Sequence, residues 1–150
     1  PSEKGYENQP EPYFTAATRV YLSGVQAVEI DGNVWVLFAD GRLIKFFGGE
    51  QRPFELKGLP DPLSAPTAIV AQPDGDLIYI ADAGNGRILE CTKDGQFQRQ
   101  FRPAQGNQLQ GMRDLFLDEA GDKFYILTAD QLFKADLPRL PAGVKPAPAK

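Results

Sequence analysis

Carboxylates are the reactive side chains in which this sequence is rich, because it contains no histidine and only one cysteine. Without an imidazole, the chain has no His base, no His metal ligand and no His-based pH switch. A single thiol forms neither an intrachain disulfide nor a Cys/His zinc site. Since no histidine stands ready to activate Cys91, we interpret it as a small apolar strand residue and predict no catalytic residue.

Two groups of aspartates are the densest sets of possible metal ligands. They are Asp74, Asp76 and Asp82, and Asp114, Asp118 and Asp122. Carboxylates at such spacings can hold calcium. The sequence lacks an Asp-x-Asp-x-Asp-Gly loop with its distal glutamate, which calcium loops of that type require. We therefore interpret both groups as turn and surface acids, and predict no metal and no cofactor.

The charge balance bears on the partners of the chain. Sixteen Lys and Arg face twenty Asp and Glu, which gives a net charge of −4 and predicts binding to neither nucleic acid nor an anionic membrane surface. No apolar run is long enough to cross a membrane, and the N-terminal residues have no signal-peptide pattern. The segment is expected not to insert into a membrane. Its compartment, cytoplasm or cell envelope, stays open.

A repeat organises the elements that position these side chains. Three segments, starting at Val25, Pro66 and Met112, share the order apolar run, turn, apolar run, turn, apolar run. The first-turn glycines Gly32, Gly75 and Gly121 lie 43 and 46 residues apart. The third runs open at Leu43, Ile88 and Leu132, which lie 45 and 44 residues apart. A period near 45 is typical of propeller blades.

Each apolar run is too short for a helix and is bounded by Gly, Asp and Asn, as strands joined by hairpins are. The second run of each segment is apolar without alternation, so it needs cover on both faces. Blades stacked side by side provide that cover. The sequence therefore predicts an all-β chain of three β-propeller blades, each of four antiparallel strands, equivalent to half of a six-bladed ring.

The second segment carries the most specific motif. Residues 74–101 read DGDLIYIADAGNGRILECTKDGQFQRQF, and this segment resembles an NHL repeat, the unit of NHL-type β-propellers. The resemblance implies that the acid and the arginine of its second turn, Asp82 and Arg87, pair to hold the hairpin together. The other two segments keep less of the pattern. The resemblance covers roughly residues 25–138.

The predicted organisation is an N-terminal tail over residues 1–17, a module over 18–138 and a Pro-rich tail over 139–150. Within the module, blades are expected at about 25–57, 66–102 and 112–138. The fourth strands of the first two blades are expected at about 52–56 and 96–101. The third blade lacks its fourth strand, and a spare strand-like run at 18–22 is expected to complete a blade.

Three blades cannot close a ring, since propellers use about four to eight. Two interpretations follow. Two copies related by a two-fold axis close a six-bladed ring, with each 18–22 strand pairing with the third blade of the other copy. Alternatively, the remaining blades lie elsewhere in a longer polypeptide. A non-propeller assembly of sheets is the third, less favoured possibility.

The predicted function is a non-catalytic module that binds or scaffolds a protein, a peptide or a small ligand. NHL-like modules of this kind resemble sensor or scaffold parts of bacterial signalling or envelope proteins. By position, Arg19, Glu29, Arg113 and Asp114 are the candidate ligand-binding residues, because they are placed to reach the central channel. A calcium-dependent lactonase-like hydrolase is the enzymatic alternative.

Overall fold

The computed structural model describes residues 9–118, 120 and 122–138, which form eleven strands in three antiparallel sheets. Blade 1 contains β1 (Val25–Ile30), β2 (Val34–Phe38), β3 (Leu43–Phe47) and β4 (Glu50–Arg52). Blade 2 contains β5 (Ala68–Ala71), β6 (Leu77–Asp82), β7 (Arg87–Thr92) and β8 (Phe97–Phe101). Blade 3 contains β9 (Asp114–Asp118), β10 (Lys123–Leu127) and β11 (Leu132–Asp136). The predicted all-β fold is confirmed.

The order of the strands in each sheet follows their order in the chain, as in a meander. The first strands of successive blades contact one another, β1 with β5 and β5 with β9. The sheets therefore stand side by side with their first strands on a common inner side. None of the described residues forms a helix that could cross a membrane.

The fourth strand of blade 1 differs from the prediction. It is Glu50–Arg52 rather than about 52–56. Gly48 and Gly49 both adopt positive φ, at 59° and 79°, so the chain reverses immediately after β3. Pro53, which has no backbone N–H to donate to the ladder, then ends the pairing.

In the single chain, residues 18–22 form no strand. Val20 instead packs with Phe14 on the outward face of blade 1, against Phe46 and its neighbours. Three residue steps join Leu22 to Val25 and span at most about 10 Å. The fourth strand of a preceding blade lies three strand spacings, about 14 Å, outward from the inner side on which β1 stands. Residues 18–22 are therefore too close to β1 along the chain to reach the outer edge of that blade.

The predicted tails are only partly within the described residues. Residues 1–8 and 139–150 lie outside them. Residues 13–15 of the predicted N-terminal tail contact blade 1, because Thr15 N donates to Gly49 O at 3.3 Å and Phe14 packs edge-on against Phe46 with ring centroids 4.9 Å apart.

The core lies between blades. Between blades 1 and 2, Trp35 and Leu37 of β2 pack with Ile78 and Ile80 of β6 and Leu89 of β7. Between blades 2 and 3, a matching cluster is formed by Tyr79, Ile88, Leu115, Phe124 and Ile126. The second strand of blade 2 is thus buried on both faces, as its unbroken apolar run predicts.

The outward faces of the two terminal blades, blade 1 and blade 3, have exposed apolar side chains. In β10, Phe124 and Ile126 are buried whereas Leu127 is exposed and Tyr125 is half-buried, so the outward face of blade 3 is uncovered. On the outward face of blade 1, Val28 and Ile30 of β1 are 54% and 67% exposed. The expectation of cover on both faces therefore holds for β6 and for β2, whose outward face is covered by Phe14 and Val20, and it fails for β10.

A buried ion pair secures the second turn of blade 2. Arg87 Nε donates to Asp82 Oδ2 at 2.7 Å, and both side chains are fully buried. The same two side chains hold the connection between blades 1 and 2, because Asp82 Oδ1 accepts from Ser64 N and Arg87 Nη2 donates to Asp61 O, both at 2.7 Å. Asn85 Nδ2 also donates to Asp82 Oδ2. The turn pair thus positions a whole inter-blade connection.

We expect Arg87→Met to destabilise the fold by about 3–5 kcal/mol, because it leaves the Asp82 carboxylate buried without its cation. Urea unfolding followed by the fluorescence of Trp35, the single tryptophan, measures this change. The matched control is Arg42→Met, which removes the Asp40–Arg42 pair from the second turn of blade 1, where both side chains are exposed. Equal losses of stability in the two variants would contradict a structural role specific to the buried pair.

Candidate functional site

The inner side of the three blades carries carboxylates from β1 and β9. Glu29 projects from β1 toward blade 2, where its Oε1 accepts from Ala71 N at 3.3 Å. Burial raises the pKa of Glu29, the Ala71 N–H opposes that rise, and the charges of Asp31 and Asp114 add to it. The surroundings of Glu29 therefore favour its neutral carboxylic acid form more than water does.

Asp31 links blade 1 to blade 2 at the turn that follows β1. Its Oδ1 accepts from Trp35 Nε1 at 2.9 Å and from Asn33 N at 3.1 Å. Its Oδ2 lies 2.6 Å from Lys93 Nζ of blade 2. Burial alone would raise the pKa of Asp31, but Lys93 and the two N–H donors outweigh it and hold that pKa below its ordinary value. Asp31 is therefore a charged structural link between blades.

Of the four predicted ligand-binding residues, Glu29 and Asp114 are the two that an electrostatic interaction links. Glu29 and Asp114 come within electrostatic range of each other, since the charge of Asp114 raises the pKa of Glu29. Asp114 Oδ1 accepts from Leu115 N at 2.8 Å. The side chains of Arg19 and Arg113 are exposed, and Arg113 contributes its backbone N–H to Leu127 O at 2.7 Å.

Asp31 and Lys93 are residues of this region that sequence reasoning missed. In the sequence, Asp31 forms a tight-turn dipeptide with Gly32. A signal was available for Asp31, which lies two positions after Glu29 in the repeat, but only the packing of blade 2 on blade 1 shows that Lys93 reaches it.

Several acidic side chains of the described residues are bonded within the fold. Among the described residues, no three His, Cys, Asp or Glu side chains are placed to hold a metal ion. Asp82, one of the aspartates predicted to be turn acids, has that role, because its carboxylate accepts hydrogen bonds from Arg87, Ser64 and Asn85. Cys91 is fully buried in β7, and burial, followed by the charge of Glu90, raises its pKa to about 12.

Comparison with known proteins identifies relatives by structure only. No family model matches the chain, and no curated protein sequence matches it. A streptogramin B lyase structure is similar with a TM-score of 0.52 and 22% identity, over 78% of this chain and 42% of that one. The computationally designed Ika4 protein is similar with a TM-score of 0.55 and 18% identity, over 76% of this chain and 66% of that one.

A chain of a nidogen/laminin complex is similar with a TM-score of 0.53 and 15% identity, over 71% of this chain and 40% of that one. The streptogramin B lyase and the nidogen/laminin complex are propeller-type proteins. The chain spans less than half of the length of either of these two relatives. These likenesses, together with the three stacked sheets, establish that the chain has the β-propeller fold.

Glu29→Gln tests the electrostatics of the inner side. Because the folded-state pKa of Glu29 is raised, its contribution to stability is fully present at low pH and is lost as pH rises through that pKa. Glutamine keeps an oxygen for Ala71 N–H and never ionises. We expect the melting temperature of the variant, relative to the wild type, to increase from pH 4 to pH 7. Glu55→Gln, at an exposed glutamate, is the control and should show no such trend; a trend of opposite sign for Glu29→Gln would refute the assignment.

Cys91 should be unreactive in the folded protein. A pKa near 12 instead of 9.0 leaves about a thousandfold less thiolate at pH 8, and burial blocks access as well. We expect a chromogenic disulfide reagent to react with Cys91 at least about a thousandfold more slowly in buffer than in 6 M guanidinium, by stopped-flow absorbance. Comparable rates in the two solvents would show that the thiol is accessible.

Proposed function

We propose that this chain is a non-catalytic β-propeller module that binds or scaffolds a protein, a peptide or a small ligand, and that two copies close into one six-bladed ring. The observation that carries the proposal is that apolar side chains remain exposed on the outward faces of both terminal blades, across blade 3 and at β1 of blade 1. Each of these faces belongs to a sheet whose other face is packed into the core.

The outward face of blade 3 is rich in exposed apolar side chains. Phe116 and Leu132 are 64% and 68% exposed, Leu127 is also exposed, and the Phe116 ring contacts the ring of Tyr125. Lys123 and Asp136 pair on the same face. A contiguous exposed apolar surface with a polar rim marks an interaction site. The outward face of blade 1, with Val28 and Ile30, is the chemically matching surface.

A two-fold axis makes both contacts at once. Blade 3 of one copy packs on blade 1 of its partner, and the same contact recurs on the other side of the ring. Six blades lie within the range of closed propellers, whereas three do not. The exposed faces on both terminal blades are then covered without any other protein.

The non-catalytic part of the proposal rests on how the reactive groups are used. Asp31 and Asp82 are engaged in ion pairs, the Glu90 carboxylate accepts two hydrogen bonds from Arg99, and the Cys91 thiol is buried with a high pKa. Ligand recognition is assigned to Glu29 and Asp114 on the inner side, with Arg19 and Arg113 as exposed cations at the periphery. In the ring, two sets of these residues surround one axis.

Light scattering after size exclusion should give a mass about twice the 16.5 kDa of one chain. Phe116→Asp places a charge in the proposed contact. We expect it to weaken the dimer by at least about 2 kcal/mol, or roughly thirtyfold in Kd, as loss of a central interface aromatic does.

The control for this substitution is Phe47→Asp. Phe47 is exposed to a similar degree, 54%, but it lies on the opposite face of blade 1 from Phe46, which packs on the outward face. The control should remain a dimer. A wild-type chain that is monomeric at every concentration would refute the two-copy ring and favour the alternative in which the other blades belong to a longer polypeptide.

A further inference from the structure

We infer that the open edge of β11 is an acceptor site for a β-strand, and that the strand comes from the residues just before Tyr13 in a second copy of this chain. The inference rests on the proposed two-copy ring and names the contact that completes its blades. The proposed donor lies upstream of residues 18–22, which the short link to β1 keeps from reaching that edge.

Blade 3 contains a vacant place for this strand. β11 pairs with β10 on one side, and no described residue pairs with its other edge. A cleft of about 530 Å³ runs along it, between blades 2 and 3. Phe101, Leu109, Phe124, Ile126, Phe133 and Ala135 line this cleft. Five polar or charged residues also line it: Gln100, Arg102, Gln108, Lys134 and Asp136. The lining is therefore mostly apolar, and no described residue pairs with the open edge of β11, as is typical of strand-addition sites.

The corresponding place between blades 1 and 2 is filled. There, β8 supplies the fourth strand of blade 2, and the side chain of Phe97 packs against the cluster that joins the two blades. Phe97 lies opposite Cys91 in the register of β7 and β8. Residue 135 of β11 corresponds to residue 91 of β7 through the repeat, so the vacant position in blade 3 is the one opposite Ala135.

The N-terminal segment identifies the donor, because it is built like the connection that follows β4. In blade 2, Lys57 N donates to Gly95 O at 2.8 Å. In blade 1, Thr15 N donates in the same way to Gly49 O at 3.3 Å. Gly95 and Gly49 occupy the same place, the turn before the fourth strand of each blade.

The close approach at these glycines is also shared. A Cβ at Gly95 would collide with the carbonyl oxygen of Glu55, two residues before Lys57, and a Cβ at Gly49 would collide with that of Tyr13, two residues before Thr15. Residues 13–15 are therefore the structural counterparts of residues 55–57.

The likeness continues to the end of the connection. Phe14 and Val20 pack on the outward face of blade 1 as Leu56 and Leu63 pack toward blade 2. The connection then reaches the second turn of the blade, where Ala39 N donates to Gly24 O and Gly84 N donates to Ser64 O, each at 2.8 Å. Residues 13–24 thus have the contacts of a chain arriving from the fourth strand of a preceding blade.

Counting back along the chain locates that strand. β4, Glu50–Arg52, ends three residues before Glu55, and the same spacing before Tyr13 places the end of the donor strand at Pro10. Gln51 is opposite Phe46 in blade 1 as Phe97 is opposite Cys91 in blade 2. Gln9, the counterpart of Gln51, is therefore assigned to the position opposite Ala135 of the other copy.

Disulfide trapping between two differently substituted proteins tests this register. One protein carries Gln9→Cys and the other Ala135→Cys; the two are mixed, incubated to exchange subunits and oxidised. Cα atoms of directly opposed antiparallel residues lie about 4.5–5.5 Å apart, within the range that a disulfide bridges. We expect a covalent dimer on a non-reducing gel from the mixture and none from either protein alone. Native Cys91 is fully buried and does not compete.

A control pair replaces Ala135→Cys by Asp130→Cys, in the exposed turn before β11. Its yield of covalent dimer should be at least about tenfold lower. Equal yields from the two pairs, in a chain whose wild type is a dimer, would overturn the assigned register and leave the ring intact.

Deletion of residues 1–12 is the independent measurement, since it removes the donor and keeps the connection from Tyr13 onward. We expect the dimer to dissociate at least about thirtyfold more readily, whereas deletion of residues 139–150 should leave Kd unchanged. An unchanged dimer after the N-terminal deletion would overturn the strand donation alone. A wild-type monomer would overturn both the ring and the strand donation.

Discussion

Cover on both faces of each second strand is the constraint on which this fold depends. β2, β6 and β10 are apolar runs without alternation, and a strand of that kind gains its stability only between two packed layers. Blade 2 satisfies the constraint within one chain, because blades 1 and 3 flank it. In blade 1, the second face of β2 is covered by Phe14 and Val20, whereas Val28 and Ile30 of β1 stay exposed. In blade 3, no described residue covers the outward face of β10, and Phe116 and Leu132 of the flanking strands are exposed there.

The same constraint explains where the charged network is buried. A buried ion pair is tolerated only where its remaining hydrogen-bonding groups are also satisfied. Asp82 and Arg87 meet that requirement because the connection between blades 1 and 2 brings Ser64 N and Asp61 O to them. In blade 1 the corresponding turn is shorter and its Asp40–Arg42 pair stays in solvent. The buried pair is therefore found at the turn whose connection supplies these hydrogen bonds.

Sequence reasoning predicted what depends on local pattern and repeat. The period near 45 residues, the Gly-containing hairpin turns and the apolar runs were sufficient to predict three antiparallel blades and all eleven strands to within a few residues. The errors arose where tertiary contacts decide. Residues 18–22 have strand-like composition, but two linking residues tie them to β1 and the face of blade 1 offers Val20 a place to pack.

The candidate site was predictable only in part for the same reason. Glu29 and Asp114 could be placed on first strands from the repeat, and first strands line the inner side of a propeller. Nothing in the local sequence shows that Lys93 of blade 2 crosses to Asp31 of blade 1, or that Ala71 donates to Glu29. Such contacts depend on the position of one blade relative to the next, and the sequence of a single repeat does not determine that position.

The proposed ring and the proposed strand donation are physically coupled through the N-terminal segment. Residues 13–24 lie on the outward face of blade 1, which is the face that a neighbouring blade would cover. A donor strand that leads into this segment can reach β11 of the partner only if the partner's blade 3 is already packed on that face. Face packing lowers the loop-closure cost of strand addition, and strand addition fixes the register of the packed faces. As proposed, the two contacts make up one cooperative interface rather than two weak ones.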